Sequence, residues 1–148
     1  RSEDYARKIL ELPEHSFIQM GDFSGYTISH CAKKGIKKAY IGGFIGKFAK
    51  MATGVKQTHV KGSKVNMEFL SILAKKCKAE ETVIQEIKNA NTARNVQEII
   101  LKNNIEGFFD EVCSEVYKQM QIHSENKTSI EIILFDFDGN VLAHHPKQ

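Results

Sequence analysis

The sequence predicts an α/β fold: a three-layer domain with a mainly parallel sheet and an antiparallel hairpin strand at one edge. Three observations predict it. Short apolar runs closed by glycine alternate with helical stripes over the first third of the chain, the pattern of a β-α-β unit. The middle of the chain is helical throughout. The end returns to strand-like sequence and carries an Asp138-Gly139 turn, the signature of a hairpin. At 148 residues, with 41% hydrophobic and 26% charged residues, the chain suits one soluble globular domain with a real core.

The elements follow in order. Ser2 to Leu12 reads as a short helix with Tyr5, Ile9 and Leu10 on one face, ended by Pro13. Phe17 to Met20 reads as a strand closing on Gly21 and Asp22. Ser24 is placed to cap a helix that runs to Lys34, turning Ile28, Cys31 and Ala32 inward, with Gly35 as a left-handed stop. Lys38 to Ile41 is the next strand. Two strands joined by one short helix imply a parallel pair with a right-handed crossover.

Phe44, Ile45, Phe48, Met51 and Ala52 then recur at helical spacing up to Gly54. Val55 to Lys64 is a polar, basic loop, and Met67 to Lys76 resumes a helix. Two or three helices follow. The clearest carries Ile105, Phe108, Phe109, Val112, Val116 and Met120 on one stripe, which is a core stripe and no cofactor box. Ser129 to Phe135 and Val141 to Ala143 form the closing strand pair.

Charge is unevenly spread. No Asp or Glu lies between Asp22 and Glu68, while Lys33, Lys34, Lys37, Lys38, Lys47, Lys50, Lys56, Lys61 and Lys64 all do. A field of that sign favours an anionic partner, against the plainer reading of a solvated lysine-rich surface. Gathering of these lysines at the ends of parallel strands favours the first; dispersal over helix backs favours the second. Nucleic acid is not the expected partner, because arginine is scarce and the basic stretch has few aromatics for stacking. No apolar run approaches a membrane span, and no charged-then-apolar leader opens the chain. Cys31, Cys77 and Cys113 are odd in number and widely spaced, which suits reduced thiols in the cytoplasm rather than disulfides or a zinc site.

The stretch "AYIGGFIGKFAKMATG", Ala39 to Gly54, has the layout of a phosphate loop without its signature. Ile41 stands where both glycine-rich nucleotide motifs require glycine, and Phe48 replaces the hydroxyl after the lysine. What remains is physical. Gly42, Gly43 and Gly46 let backbone pass near a ligand, and Lys47 supplies a cation; alternatively the glycines serve only tight strand–helix packing. Asp22, at the end of the first expected strand, suits ribose hydroxyls or an amine, or else helix capping. Thr58 and His59 lie in the basic loop, where His59 can donate to a carboxylate, transfer a proton, or only pack. "FDFDGN" resembles a phosphatase aspartate motif, yet only eight residues follow Asn140, too few for that chemistry, so a hairpin turn is expected. His144 and His145 have no third ligand in view, and no metal site is expected.

Taken in order, these residues resemble a family. "EDYARKILELPEHSFIQMGDFSGYTISHCAKKGIKKAYIGGFIGKFAKMATGVKQTHVKGSKVNMEFLSILA" is similar to the C-terminal half of the cobalt-precorrin-5B C(1)-methyltransferases, the CbiD family of anaerobic cobalamin biosynthesis. The similarity runs through Gly21-Asp22-Phe23, Gly43-x-x-Gly46-Lys47, Thr58-His59, Met67-Glu68 and "ILFDFDGNVLA" in one colinear register. Departures fall at Val60, Lys64 and Asn66, where the family tends to place a hydroxyl, an Asp and an Arg.

The resemblance implies that residues 1–148 are the C-terminal domain of a two-domain enzyme whose N-terminal domain lies outside this chain. It implies S-adenosylmethionine as methyl donor and an anionic tetrapyrrole as substrate, with cobalt present only as part of that substrate, and it leaves room for a homo-oligomer. It implies substrate or donor contacts at Asp22, Phe23, Gly42, Gly43, Gly46, Lys47 and Thr58, and makes His59 the candidate base. The competing class is a non-catalytic carboxylate-binding or assembly domain. On either reading the isolated chain is expected to turn over poorly.

Overall fold

The computed structural model describes residues 1–54 and 64–147. Seven helices and three strands occur among them: α1 (Ser2–Ile9), α2 (Ser24–Lys33), β1 (Lys38–Gly43), α3 (Ile45–Met51), α4 (Met67–Lys76), α5 (Glu81–Lys88), α6 (Ala93–Lys102), α7 (Phe108–His123), β2 (Ser129–Phe135) and β3 (Val141–His145). The strands form one sheet in the order β1-β2-β3. β1 and β2 are parallel, with Ile41 opposite Ile132 and Gly42 opposite Ile133; β2 and β3 are antiparallel.

The expected fold class holds as α/β, but the sheet is not mainly parallel: one pair is parallel and one antiparallel. The strand expected at Phe17–Met20 does not form. Glu14–Ser16 is instead a 3-10 turn that folds back on α1, where Gln19 donates to Glu3 at 2.6 Å and the Arg7 guanidinium lies 4.5 Å from the Phe17 ring centroid. A four-residue apolar run has no strand character of its own; only a paired neighbour confers it. The long crossover from β1 to β2 therefore carries α3 through α7 in place of the single expected crossover helix.

Alternation along the strands sorts the two sheet faces. Ile41, Ile130, Ile132, Leu134 and Ala143 point into the main core with Phe48, Phe108, Val112, Val116 and Met120. The apolar stripe of α7 accounts for that: its i, i+4 residues Phe108, Val112, Val116 and Met120 are all fully buried against β2 and β3. On the opposite face α1 is the one helix among the described residues, meeting β1 through Ala6 and β2 through Tyr5. The expected second helical layer is thus a single eight-residue helix. Among the described residues no helix is long and apolar enough to cross a membrane.

Several local expectations are met. Gly35 adopts φ +76°, and the amides of Gly35 and Ile36 return to the carbonyls of Ala32 and Cys31, closing α2 in a Schellman arrangement. Asp136 organises the hairpin: its Oδ1 accepts from the amides of Asp138 and Asn140, and its Oδ2 from the Asn140 side chain. Burial alone would raise that carboxyl, but the bonds from Asn140, Asp138 and Gly139 outweigh it and hold its pKa low. The helix-capping expectation is corrected. Phe23 occupies the N-cap of α2, and Ser24, the first helical residue, is buried with no partner for its Oγ.

Candidate functional site

The carboxyl end of β1 brings together residues that are distant in sequence. α3 begins two residues after the strand, so Lys47 stands in its first turn. Its Nζ donates to Asp22 Oδ1 at 2.6 Å, which draws the Gly21-Asp22 turn, with Gly21 at φ +54°, against the β1–α3 junction. Lys47 remains about half exposed and Asp22 about a third. Asp22 therefore reaches the edge where α/β sheets hold ligands, although no strand delivers it there.

The three glycines of this loop divide by what surrounds them. Gly42 and Gly43 are the last residues of β1, not a turn beyond it. A Cβ on Gly42 would lie 3.1 Å from the Phe135 ring and 3.8 Å from Ala6; one on Gly43 would lie 2.7 Å from Phe48. These two positions are filled by the protein's own side chains. Gly46 differs. It lies inside α3, and a Cβ there would meet nothing within 4 Å. Glycine costs an interior helical position roughly 0.5–1 kcal/mol relative to alanine, an upper bound for Gly46, which stands in the first turn. Packing does not require Gly46, and it is the one glycine of the loop with open space at its Cβ position.

An aromatic wall closes the other side of the junction. Phe44 stacks on Phe137 at 5.1 Å between centroids, and Tyr5 meets Phe44 edge-on at 6.2 Å while donating its hydroxyl to the Phe137 carbonyl at 3.1 Å. The Arg94 guanidinium lies 4.6 Å from the Phe137 centroid. Arg94 and Phe137 are not legible from the sequence at this edge, since nothing in their spacing ties α6 or the hairpin tip to Lys47. Phe23, singled out from the sequence, stands next to Asp22 and is half exposed.

Thr58 and His59 lie outside the described residues, as do Lys56 and Lys61. Of the other lysines in the acid-free segment, Lys33, Lys34, Lys37 and Lys38 sit around the amino end of β1, away from the glycines, Lys47 and Lys50 ride on α3, and Lys64 is exposed three residues before α4. The charge is thus split between the two ends of the strand. Lys38 is engaged there: its Nζ pairs with the buried Glu131 at 2.5 Å, whose other oxygen bonds His144 Nε2 at 2.9 Å. His145 points to the other face and meets Tyr117 edge-on at 5.0 Å. No group of three or more potential metal ligands occurs among the described residues.

Comparison with known proteins gives the family. The chain is 37% identical over 149 residues to a protein of Priestia megaterium named cobalt-precorrin-5B C(1)-methyltransferase, covering 97% of this chain and 41% of that protein. Proteins of the same name from Leptospira interrogans and Thermus thermophilus are 40% and 36% identical over 144 and 148 residues, covering 97% and 99% of this chain and 39% and 40% of their own length. The chain thus spans about two-fifths of the relatives it matches. No solved structure matches it. Asp22, Gly46 and Lys47 fall within a similarity that covers nearly the whole chain, while Thr58 and His59 fall within the family model described as "CbiD, C-terminal domain", which matches residues 57–146. By that match the chain belongs to the CbiD family, in its C-terminal domain.

Proposed function

We propose that this chain serves a methyl transfer from S-adenosylmethionine to carbon 1 of cobalt-precorrin-5B in cobalamin biosynthesis, as one part of a longer enzyme. The name carried by relatives along the whole chain supports the reaction, and Gly46 supports the place: an open, unneeded helical glycine beside the Asp22–Lys47 pair. S-adenosylmethionine supplies an already activated sulfonium methyl. The protein's share is to hold the acceptor carbon in line with it and keep water out.

Asp22 and Lys47 divide the binding between them. The carboxylate suits the hydroxyls or the cationic end of the donor, and the ammonium suits an acetate or propionate arm of the macrocycle. Their mutual ion pair keeps each charge satisfied until a ligand takes over. Gly46 leaves the approach clear, and Phe23 offers an apolar ring beside Asp22. Gly42 and Gly43 contribute by letting Phe135 and Phe48 pack, which fixes the junction rather than touching ligand. Transfer to a ring carbon releases one proton, and His59, with Thr58 beside it, is the residue proposed to accept it.

The test is calorimetric binding of S-adenosylmethionine and, separately, of a tetrapyrrole polycarboxylate to the full-length gene product, together with a methyl-transfer assay. Asp22→Asn and Lys47→Ala should each weaken one of the two ligands, and His59→Ala should lower turnover without lowering either affinity. If all three variants bind and turn over as the parent does, this edge is a packing junction and the assembly reading stands.

A further inference from the structure

The first 23 residues contain no buried residue, although they include α1, which lies against the sheet. α1 is amphipathic and buries none of its side chains fully. From its last residue onward, Ile9, Leu12, Ile18, Phe23 and Tyr26 are exposed, Ile18 by 77% and Tyr26 by 57%. These are five of the ten large apolar side chains left exposed among the described residues, and they fall within 18 consecutive positions. Single exposed apolar residues are ordinary, but an even spread would leave about one there.

The stretch is nonetheless held in a defined shape. Gln19 and Arg7 tie it to Glu3 and Phe17 of the same unit, and Lys47 anchors its far end through Asp22. A stretch held in a defined shape with its apolar side chains exposed, opening on a helix that alone covers one sheet face, is what an unfinished layer looks like. About three-fifths of each long relative lies outside the part this chain matches, enough polypeptide to finish it.

We propose that residues 9–26 seat the remainder of that longer polypeptide, with Ile18, Phe23 and Tyr26 as anchors. The Asp22–Lys47 pair then lies at the seam, which is where ligand sites tend to form between domains. This rests on the reading of the chain as part of a longer methyltransferase, but the test below does not depend on catalysis. The occupant is the rest of the same polypeptide rather than a second copy, because the relatives carry about three-fifths of their length outside the part this chain matches, and because α1, which opens the stretch, lies on the sheet face opposite the main core.

Hydrogen exchange decides it. In the full-length gene product the amides of residues 9–26 should exchange at least about tenfold more slowly than in the 148-residue chain, because seating suppresses their local opening. Ile18→Lys and Tyr26→Lys should abolish that difference and lower the melting temperature of the full-length protein, while leaving that of the 148-residue chain unchanged, since both side chains are exposed in it. Equal exchange in the two proteins overturns the proposal. Sedimentation of the 148-residue chain as a dimer that Ile18→Lys dissociates would also overturn it, by naming a second copy as the occupant. Loss of methyl transfer with the exchange difference intact would instead count against the proposed reaction and leave the seat standing.

Discussion

The ring of Phe48 occupies the space that a side chain at Gly43 would need, with Phe48 Cε1 only 2.7 Å from the position of the missing Cβ. Both residues are buried in the main core, and Phe48 belongs to the helix that the strand feeds. Gly43 is therefore glycine so that α3 can fold back tightly on β1.

Gly43→Ala should destabilise the chain by about 1–3 kcal/mol, the usual cost of overpacking a filled core. Gly46→Ala should do the reverse and raise stability by up to about 1 kcal/mol, since it improves helix propensity and meets no neighbour. Urea midpoints of the two variants give the comparison directly. A Gly46→Ala protein that melts higher yet binds ligand less well would show a glycine kept for function; one that melts lower would mean that α3 needs flexibility at that point.

Much of this architecture was legible in the sequence, and the failures have physical causes. The α7 stripe, the Gly35 stop and the Asp138-Gly139 hairpin are local features, set by side chains within a turn or two of one another. The Phe17–Met20 strand failed because pairing is non-local: nothing in four residues says whether an edge is there to receive them. The reach of β1 was underestimated for a related reason, since Gly42 and Gly43 read as a turn unless Phe135 and Phe48 are known to fill the gaps. Asp22 was picked as a strand-end residue, and the structure delivers it to the same edge by a turn and the Lys47 ion pair. Arg94 and Phe137 were invisible because only the fold brings α6 and the hairpin tip to Phe44.

Lys38, Lys76, Cys77 and Cys113 all sit above their ordinary values and make the chain sensitive to alkali in the same direction, Cys113 and Lys38 most of all. Burial, with Asp110 adding to it, pushes the fully enclosed Cys113 thiol up to about 12 from an ordinary 9.0. The hydrogen bond to Glu131, then that to Tyr40, raises Lys38 from 10.5 to about 12. In each case the unfolded chain loses its proton first. The stabilisation is whole below pH 9 for Cys113 and below 10.5 for Lys38, and it drains away as pH climbs toward 12. Denaturation midpoints should fall steadily above pH 9, and Cys113→Ala should flatten the first part of that fall. A thiol reagent at pH 8 should label Cys113 only after unfolding; rapid labelling in the folded protein would refute its placement.

Lys47 separates the contribution of charge from that of shape. Its pair with Asp22 is largely exposed, so Lys47→Ala should change folding stability by no more than about 1 kcal/mol. Binding of a carboxylate ligand is a different matter. There the ammonium would make a charge-assisted hydrogen bond, and its loss should cost roughly 1–3 kcal/mol in affinity. Because the group stays half exposed, salt screens it over about 8–10 Å, and the difference between parent and variant should shrink as ionic strength rises. Calorimetric titration of the full-length protein with a tetrapyrrole polycarboxylate at low and high salt checks both statements. A salt-independent loss would mean that Lys47 acts by holding Asp22 at the β1–α3 junction, a role that ionic strength does not screen away. In that case Asp22→Asn should produce the same loss, and the double variant should lose no more than either single one, because both would break the same contact.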